Sequence, residues 1–224
     1  MRSAALFVEG IADVKFLQDF VQYHFGQTLK DGQHIVKCSG NGGLAAQAST
    51  FTQFALQGLT NCIIFDADTE AQETDFAGTK DRISKELASI TQTIHTERPD
   101  LPVQFDVFLL PNNHDNGDLE TLLERIINPE NQPLLDCWNA YEQCILAQQE
   151  RIPSRTLSVP IRKSKIYSYM EILHGTSNQE REQAKEKNRD YTMSEDWLLN
   201  HNAAQNLHTF LARYFSSTPS PSIP

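Results

Sequence analysis

Asn61-Cys62-Ile63-Ile64-Phe65-Asp66-Ala67-Asp68 is the stretch on which the fold turns. A short, continuously apolar run is closed by a pair of acidic residues. Such a run suits a strand covered on both faces, as in a parallel sheet sandwiched by helices. The same alternation continues on either side. Upstream, Ala4 to Val8 is an apolar run ending at Glu9-Gly10, after which Val14, Leu17, Val21 and Phe25 recur at helical spacing. Asp13 falls in the first turn of that helix, where a negative charge suits the dipole. His34 to Cys38 reads as a second strand, closed by Ser39-Gly40-Asn41-Gly42-Gly43. Leu44, Ala48, Phe51, Ala55 and Leu59 mark a second helix, with Gly58 near its end. Downstream, Ile83, Leu87, Ile90 and Ile94 mark a third helix, broken by Arg98-Pro99-Asp100-Leu101-Pro102. Val103 to Leu110 is a fourth strand that stops at Pro111. Strand–helix alternation with buried strands predicts right-handed crossovers and a parallel sheet of about four strands, an α/β fold of Rossmann-like type.

Beyond Pro111 the pattern becomes helical. Asn112 to Gly117 is a polar loop, and Leu119, Leu122, Leu123, Ile126 and Ile127 form an amphipathic helix. Further helices are predicted around Leu134 to Gln149, Ser164 to Leu173 and Asp196 to Phe215. Glu180 to Asp190 is densely charged and predicts a solvated helix or mobile loop. The expected organisation is an α/β core over 1–127, a helical extension packed on it over 128–215, and a disordered Ser/Pro-rich tail over 216–224.

Composition narrows the functional classes. Across 224 residues, 39% hydrophobic and 21% charged content is globular. No apolar run is long enough to cross a bilayer, and Ala4 to Val8 is too short for a secretory signal, so a cytoplasmic protein without membrane contact is expected. Cys38, Cys62, Cys137 and Cys144 have no zinc spacing. Cys38 and Cys62 lie in apolar strand runs, where a thiol acts as a small hydrophobe. The formal charge of −10 opposes non-specific nucleic-acid binding, which rests on basic faces. A local basic segment, Arg151 to Lys165, is the exception.

Ligands of open parallel sheets bind outside the carboxyl ends of the strands, and those ends are acidic here. Glu9 closes the first strand, Asp66 and Asp68 close the third, and Glu120 starts the helix after the fourth. Singly, each has an ordinary explanation: a solvated loop residue, a helix cap, a charge favoured by a helix dipole. Together they would repel one another unless a cation or protons intervene. Hard oxygen donors in that number suit Mg²⁺ or Mn²⁺. The glycine-rich loop matches neither a P-loop nor a dinucleotide fingerprint and reads as a tight turn. The histidines show no ligand spacing, and Trp197, Phe210 and Tyr214 read as core.

Val8-Glu9-Gly10-Ile11-Ala12-Asp13-Val14-Lys15-Phe16-Leu17 resembles the opening motif of Toprim domains, and Phe65-Asp66-Ala67-Asp68 resembles their D-x-D. Such domains occur in topoisomerases, primases, recombination mediators and OLD-type (overcoming lysogenization defect) nucleases. Leu110-Pro111-Asn112-Asn113, followed by Asn116-Gly117-Asp118-Leu119-Glu120-Thr121-Leu122-Leu123, resembles the OLD-like branch and a small uncharacterised bacterial family within it. There a G-x-L-E segment supplies a further acid. Ile161-Arg162-Lys163-Ser164-Lys165-Ile166-Tyr167 resembles that branch's segment carrying an active-site lysine. Lys165 is the favoured counterpart and Lys163 the other candidate.

The resemblance implies a Mg²⁺- or Mn²⁺-dependent nuclease acting on nucleic acid, DNA ahead of RNA. Asp66, Asp68, Glu9 and Glu120 would be metal ligands, Glu9 also general acid or base, and Lys165 would stabilise charge on the phosphate. Asp13, Gly117, Asp118 and Lys163 are secondary candidates. OLD proteins carry an ATPase domain that this chain lacks, so a protein partner supplying ATPase or DNA-binding function is a corresponding expectation. Topoisomerase and primase activities need further domains. The rivals are a Toprim-like binding module without turnover and a metal-dependent nucleotidyl or nucleotide-sugar transferase; the latter would leave Glu9 and Glu120 without a role.

Overall fold

The apolar runs form strands because both of their faces are covered. In the computed structural model, which describes residues 3–38, 43–67 and 75–216, strands β1 (Ala4–Val8), β2 (Ile35–Lys37), β3 (Thr60–Asp66) and β4 (Phe105–Leu110) build one sheet in the order β2-β1-β3-β4. Every pairing is parallel. Successive side chains of a strand point to opposite faces, and β1 divides accordingly. Leu6 and Val8 join a cluster with Phe16, Leu17 and Phe20 of helix α1 (Ile11–Phe25). Ala5 and Phe7 join Phe51 and Phe54 of α2 (Ala48–Leu56) and Ile83, Leu87, Ile90 and Ile94 of α3 (Phe76–Glu97) on the other face.

Register fixes what meets at the top of the sheet. Val8 lies beside Ile64 and Asp66 beside Leu110, so Glu9 and Asp66 emerge next to each other. The chain runs from β1 to β2 on one side and places β3 on the other. The crevice between β1 and β3 is therefore the point where strand order reverses, the usual ligand position in open parallel sheets.

The C-terminal part shares the α1 face of the core. It comprises α4 (Leu119–Ile126), α5 (Gln132–Leu146), α6 (Arg162–His174), α7 (Asn178–Gln183) and α8 (Gln205–Phe215). Leu122, Leu123 and Ile126 of α4, Ile166 and Met170 of α6 and Leu207 and Leu211 of α8 belong to the same buried cluster as α1 and the sheet. Backbone bonds tie α8 back to the chain start, with Ser3 N–H donating to the Tyr214 carbonyl at 3.1 Å.

Three expectations are corrected. The last helix begins at Gln205, not Asp196. Trp197 instead pairs with Ile127 in an antiparallel bridge, and Leu198 N–H donates to the Ile126 carbonyl at 2.7 Å. Backbone groups that a helix would have used internally are taken by the end of α4, and Trp197 is buried against Tyr169 and Tyr191. The charged segment Glu180 to Asp190 is not solvated throughout: Ala184 and Arg189 are buried, and the Arg189 guanidinium lies near the rings of Tyr167 and Tyr191. The second helix also stops at Leu56, before Leu59, because Gly58 turns with φ +71°. Cys38 and Cys62 are buried free thiols. No helix among the described residues is long and apolar enough to cross a membrane.

Truncating Trp197 to alanine removes a fully buried side chain that joins the C-terminal segment to the sheet. Trp197→Ala should lower unfolding free energy by about 3–5 kcal/mol, read from urea denaturation by circular dichroism. The denaturation should remain a single transition; two separated transitions would show that sheet and extension unfold independently.

Candidate acidic site at the strand ends

The site grows from backbone positions that the sheet dictates. Glu9 follows the last residue of β1, and its carboxylate accepts a hydrogen bond from Asp66 N–H at 3.2 Å. Asp66 in turn accepts one from Leu119 N–H, the first amide of α4, at 3.0 Å. A carboxylate at a helix N-terminus is favoured by the free amides and the dipole there. Asp13 turns back in the first turn of α1 and accepts from Gly10 N–H at 2.7 Å. Asp118 caps α4, accepting from Thr121 N–H at 2.8 Å. Glu120 follows in the same first turn. Strand ends therefore set the places of Glu9 and Asp66, and the starts of α1 and α4 bring Asp13, Asp118 and Glu120 to the same crevice.

Gly117 makes the second half of this arrangement. Its φ of +140° is a conformation that side-chain-bearing residues rarely adopt. A β-carbon there would lie 2.8 Å from the Thr121 hydroxyl. Its carbonyl accepts from Ala67 N–H at 2.9 Å, pinning the G-D-L-E segment to the end of β3. Alanine at this position should cost about 1–3 kcal/mol of stability. Melting of Gly117→Ala, compared with wild type, checks this.

The cleft so formed has a volume of about 580 Å³ and is lined by Glu9, Asp13, Asp66, Asp118 and Glu120 together with Arg162, Lys163 and Glu186. Its cations already have partners. Arg162 lies 3.4 Å from Asp118 and donates to the Thr121 hydroxyl at 3.0 Å; Lys163 lies 2.6 Å from Glu186. They do not neutralise the cluster. Burial raises the Glu9, Asp66 and Glu120 carboxyls above their ordinary range, with neighbouring carboxylates pushing Asp66 and Glu120 further. Burial also lifts Asp13 to about 7, reinforced by the charges of Glu9 and Glu120. The Arg189 guanidinium acts the other way on Glu120.

Glu9, Asp66, Glu120 and the secondary candidates Asp13, Asp118 and Lys163 thus come to one cleft, and Gly117 shapes it. Asp68 lies outside the described residues. Lys165 is elsewhere: its ammonium donates to Glu124 at 2.8 Å and Asn139 at 3.0 Å. Residues two apart on a helix point about 200° apart, so Lys163 and Lys165 cannot both face the acids. Among the described residues, no three acidic, histidine or cysteine side chains form a ready metal cage. Several of the carboxylates are instead held apart on separate backbone amides. The donor set nevertheless fits a hard divalent cation: carboxylate oxygens, mutually repelling, partly desolvated and short of positive charge. Arg162, Glu186 and Arg189 escaped sequence reasoning. Arg162 stands beside Lys163 at a helix start, a usable signal; nothing local marks Arg189.

Raised carboxyl pKa values make the folded state the better proton binder, so stability is greatest below the ordinary carboxylate range. It falls as pH rises through the folded values, up to about 7 for Asp13. Without divalent cations, the melting temperature should fall between about pH 5 and pH 8, and Mg²⁺ should restore it most at the alkaline end. Asp66→Asn should blunt both effects; a melting temperature rising with pH across that window would contradict the charge cluster.

Residues 3–216 match the family model described as "Protein of unknown function (DUF3226)". No curated protein and no solved structure matches the chain.

Proposed function

Because this chain belongs to the DUF3226 family, whose description assigns no activity, its function must be argued from the site, and we propose that it is a Mg²⁺- or Mn²⁺-dependent phosphodiester hydrolase acting on nucleic acid, DNA ahead of RNA. One observation carries the reading: Glu9, Asp66 and Glu120 converge on a single cleft that Arg162 and Lys163 also line. The Toprim-like motifs around Glu9 and Asp66 support it. Asp66 and Glu120, with Glu9 and Asp68, would hold the cation. When bound, such an ion polarises a phosphoryl oxygen and lowers the pKa of water.

The chain's own residues do the rest. Arg162 and Lys163 exchange their contacts with Asp118 and Glu186 for a substrate phosphate, a pairing for which the guanidinium fork is well shaped. Glu9, its carboxyl raised by burial, is the group placed to give a proton to a leaving oxygen. Asp118 and Gly117 keep the α4 start in position. The cation and the basic wall offset a chain charge of −10 that otherwise opposes a polyanion. Lys163, not Lys165, is the lysine assigned to the phosphate.

A binding module without turnover is the second reading. Its support is the pairing of both cleft cations with acids and the lack of a ready cage among the described residues.

Calorimetry with Mg²⁺ and Mn²⁺, alongside cleavage of single-stranded and supercoiled DNA, separates the two. On the hydrolase reading, Asp66→Ala loses metal binding and cleavage together. Glu9→Gln lowers the cleavage rate by about 10²–10⁴-fold, and Lys163→Ala weakens substrate binding and makes it less sensitive to salt. Metal binding without cleavage of any nucleic acid would favour the module, and absence of metal binding would sink the hydrolase.

A further inference from the structure

We propose that the cavity between α5 and α6 is a pocket for one unstacked base of single-stranded nucleic acid, a second site on the substrate of the acidic cleft. The proposal rests on the hydrolase reading for its ligand class, but its own observations are separate. The cavity holds about 520 Å³, within the range of small-ligand sites. Trp138 and Tyr141 form one wall, their ring centroids 5.5 Å apart, with Tyr141 half exposed. The ring of Tyr169 and the exposed Ile172 complete an apolar lining. Helix α5 buries only Leu135 among its described residues, so its aromatic face is open to a ligand.

The polar groups around that lining decide for a base. Ser168 and Glu171 line the cavity, and neither side chain has a hydrogen-bond or ion-pair partner among the described residues. The buried Lys165 ammonium donates to Glu124 and Asn139, leaving one of its three N–H groups uncommitted. A base offers a flat π-face with donors and acceptors around its edge, which matches aromatic walls bordered by a hydroxyl, a carboxylate and an ammonium. A helix or a second copy of this chain would match the aromatics and leave those three groups buried beneath it. Position supports the same occupant. Helix α6 walls both cavities: Arg162 and Lys163 face the acidic cleft, while Lys165, Ser168 and Ile172 face this one. A strand whose phosphate lies on Arg162 and Lys163 passes over the start of α6 and can drop a neighbouring base behind it.

The sequence contains two tryptophans, and Trp197 is buried, so Trp138 fluorescence reports on the pocket. The full chain, in chelator to prevent cleavage, is titrated with fluorescein-labelled oligothymidine, following anisotropy and, with unlabelled oligomer, tryptophan emission. Quenching should accompany binding in wild type. Tyr141→Ala and Trp138→Ala, whose side chains are only partly buried, should keep the fold by circular dichroism and weaken binding roughly tenfold. Binding without quenching, or binding unchanged in both aromatic variants, would overturn the pocket while leaving the acidic cleft as a nucleic-acid site. No binding to the oligomer, with metal-dependent cleavage of duplex DNA intact, would likewise overturn the pocket alone. Concentration-dependent dimerisation lost in Tyr141→Ala would reassign the cavity to a second copy of the chain.

Discussion

The hydrogen bond from Leu119 N–H to the Asp66 carboxylate joins the two halves of this protein. It ties the end of the central strand β3 to the first turn of α4, and the Asp66 amide reaches on to Glu9 at the end of β1. Strand register puts these groups side by side, and backbone amides give Glu9, Asp66 and Asp13 a donor each. A buried carboxylate without a donor or cation is costly. Here donors are supplied, but not enough charge, so the cluster is folded under repulsion. Sites of this kind take up protons or metal because either relieves that repulsion.

The helical part serves the site as well as the core. Its α6 supplies Arg162 and Lys163, and the segment after α7 supplies Arg189. That guanidinium is only 2% exposed and has no carboxylate within ion-pair distance among the described residues. It hydrogen-bonds to the Tyr191 hydroxyl and the Ala184 carbonyl and rests near two aromatic rings. Its charge therefore acts over a distance, on Glu120 across the core. In a low-dielectric interior such unpaired charges interact more strongly than at a surface. The fold thus holds a fixed positive charge behind an acidic cleft, which tempers the repulsion without occupying the cleft.

The separation of Lys163 from Lys165 shows how a helix sorts neighbouring residues into different environments. Lys163 meets Glu186 at the cleft, whereas Lys165 is drawn into the α5–α6 interface by Glu124 and Asn139. One helix of moderate length then faces two cavities of different character, one acidic and one aromatic.

The sheet was legible in the sequence because each strand carries a run of apolar residues at its centre or end, a pattern that local composition records directly. The acids at the strand ends were legible for the same reason: a strand's last residue is known once the strand is. Glu9, Asp66 and Glu120 could be named from position alone, and Gly117 from its place before the α4 cap. Trp197, Arg189 and Lys165 could not. Trp197 left the predicted helix because the end of α4 took its backbone hydrogen bonds, and Arg189 left the solvent because Tyr167 of α6 and the nearby Tyr191 closed over it. Lys165 turned from the acids because α6 docks with one face only. What depends on the next few residues is written in the chain; what depends on which surface lies opposite is decided when the chain closes on itself, since burial and pairing are properties of both partners.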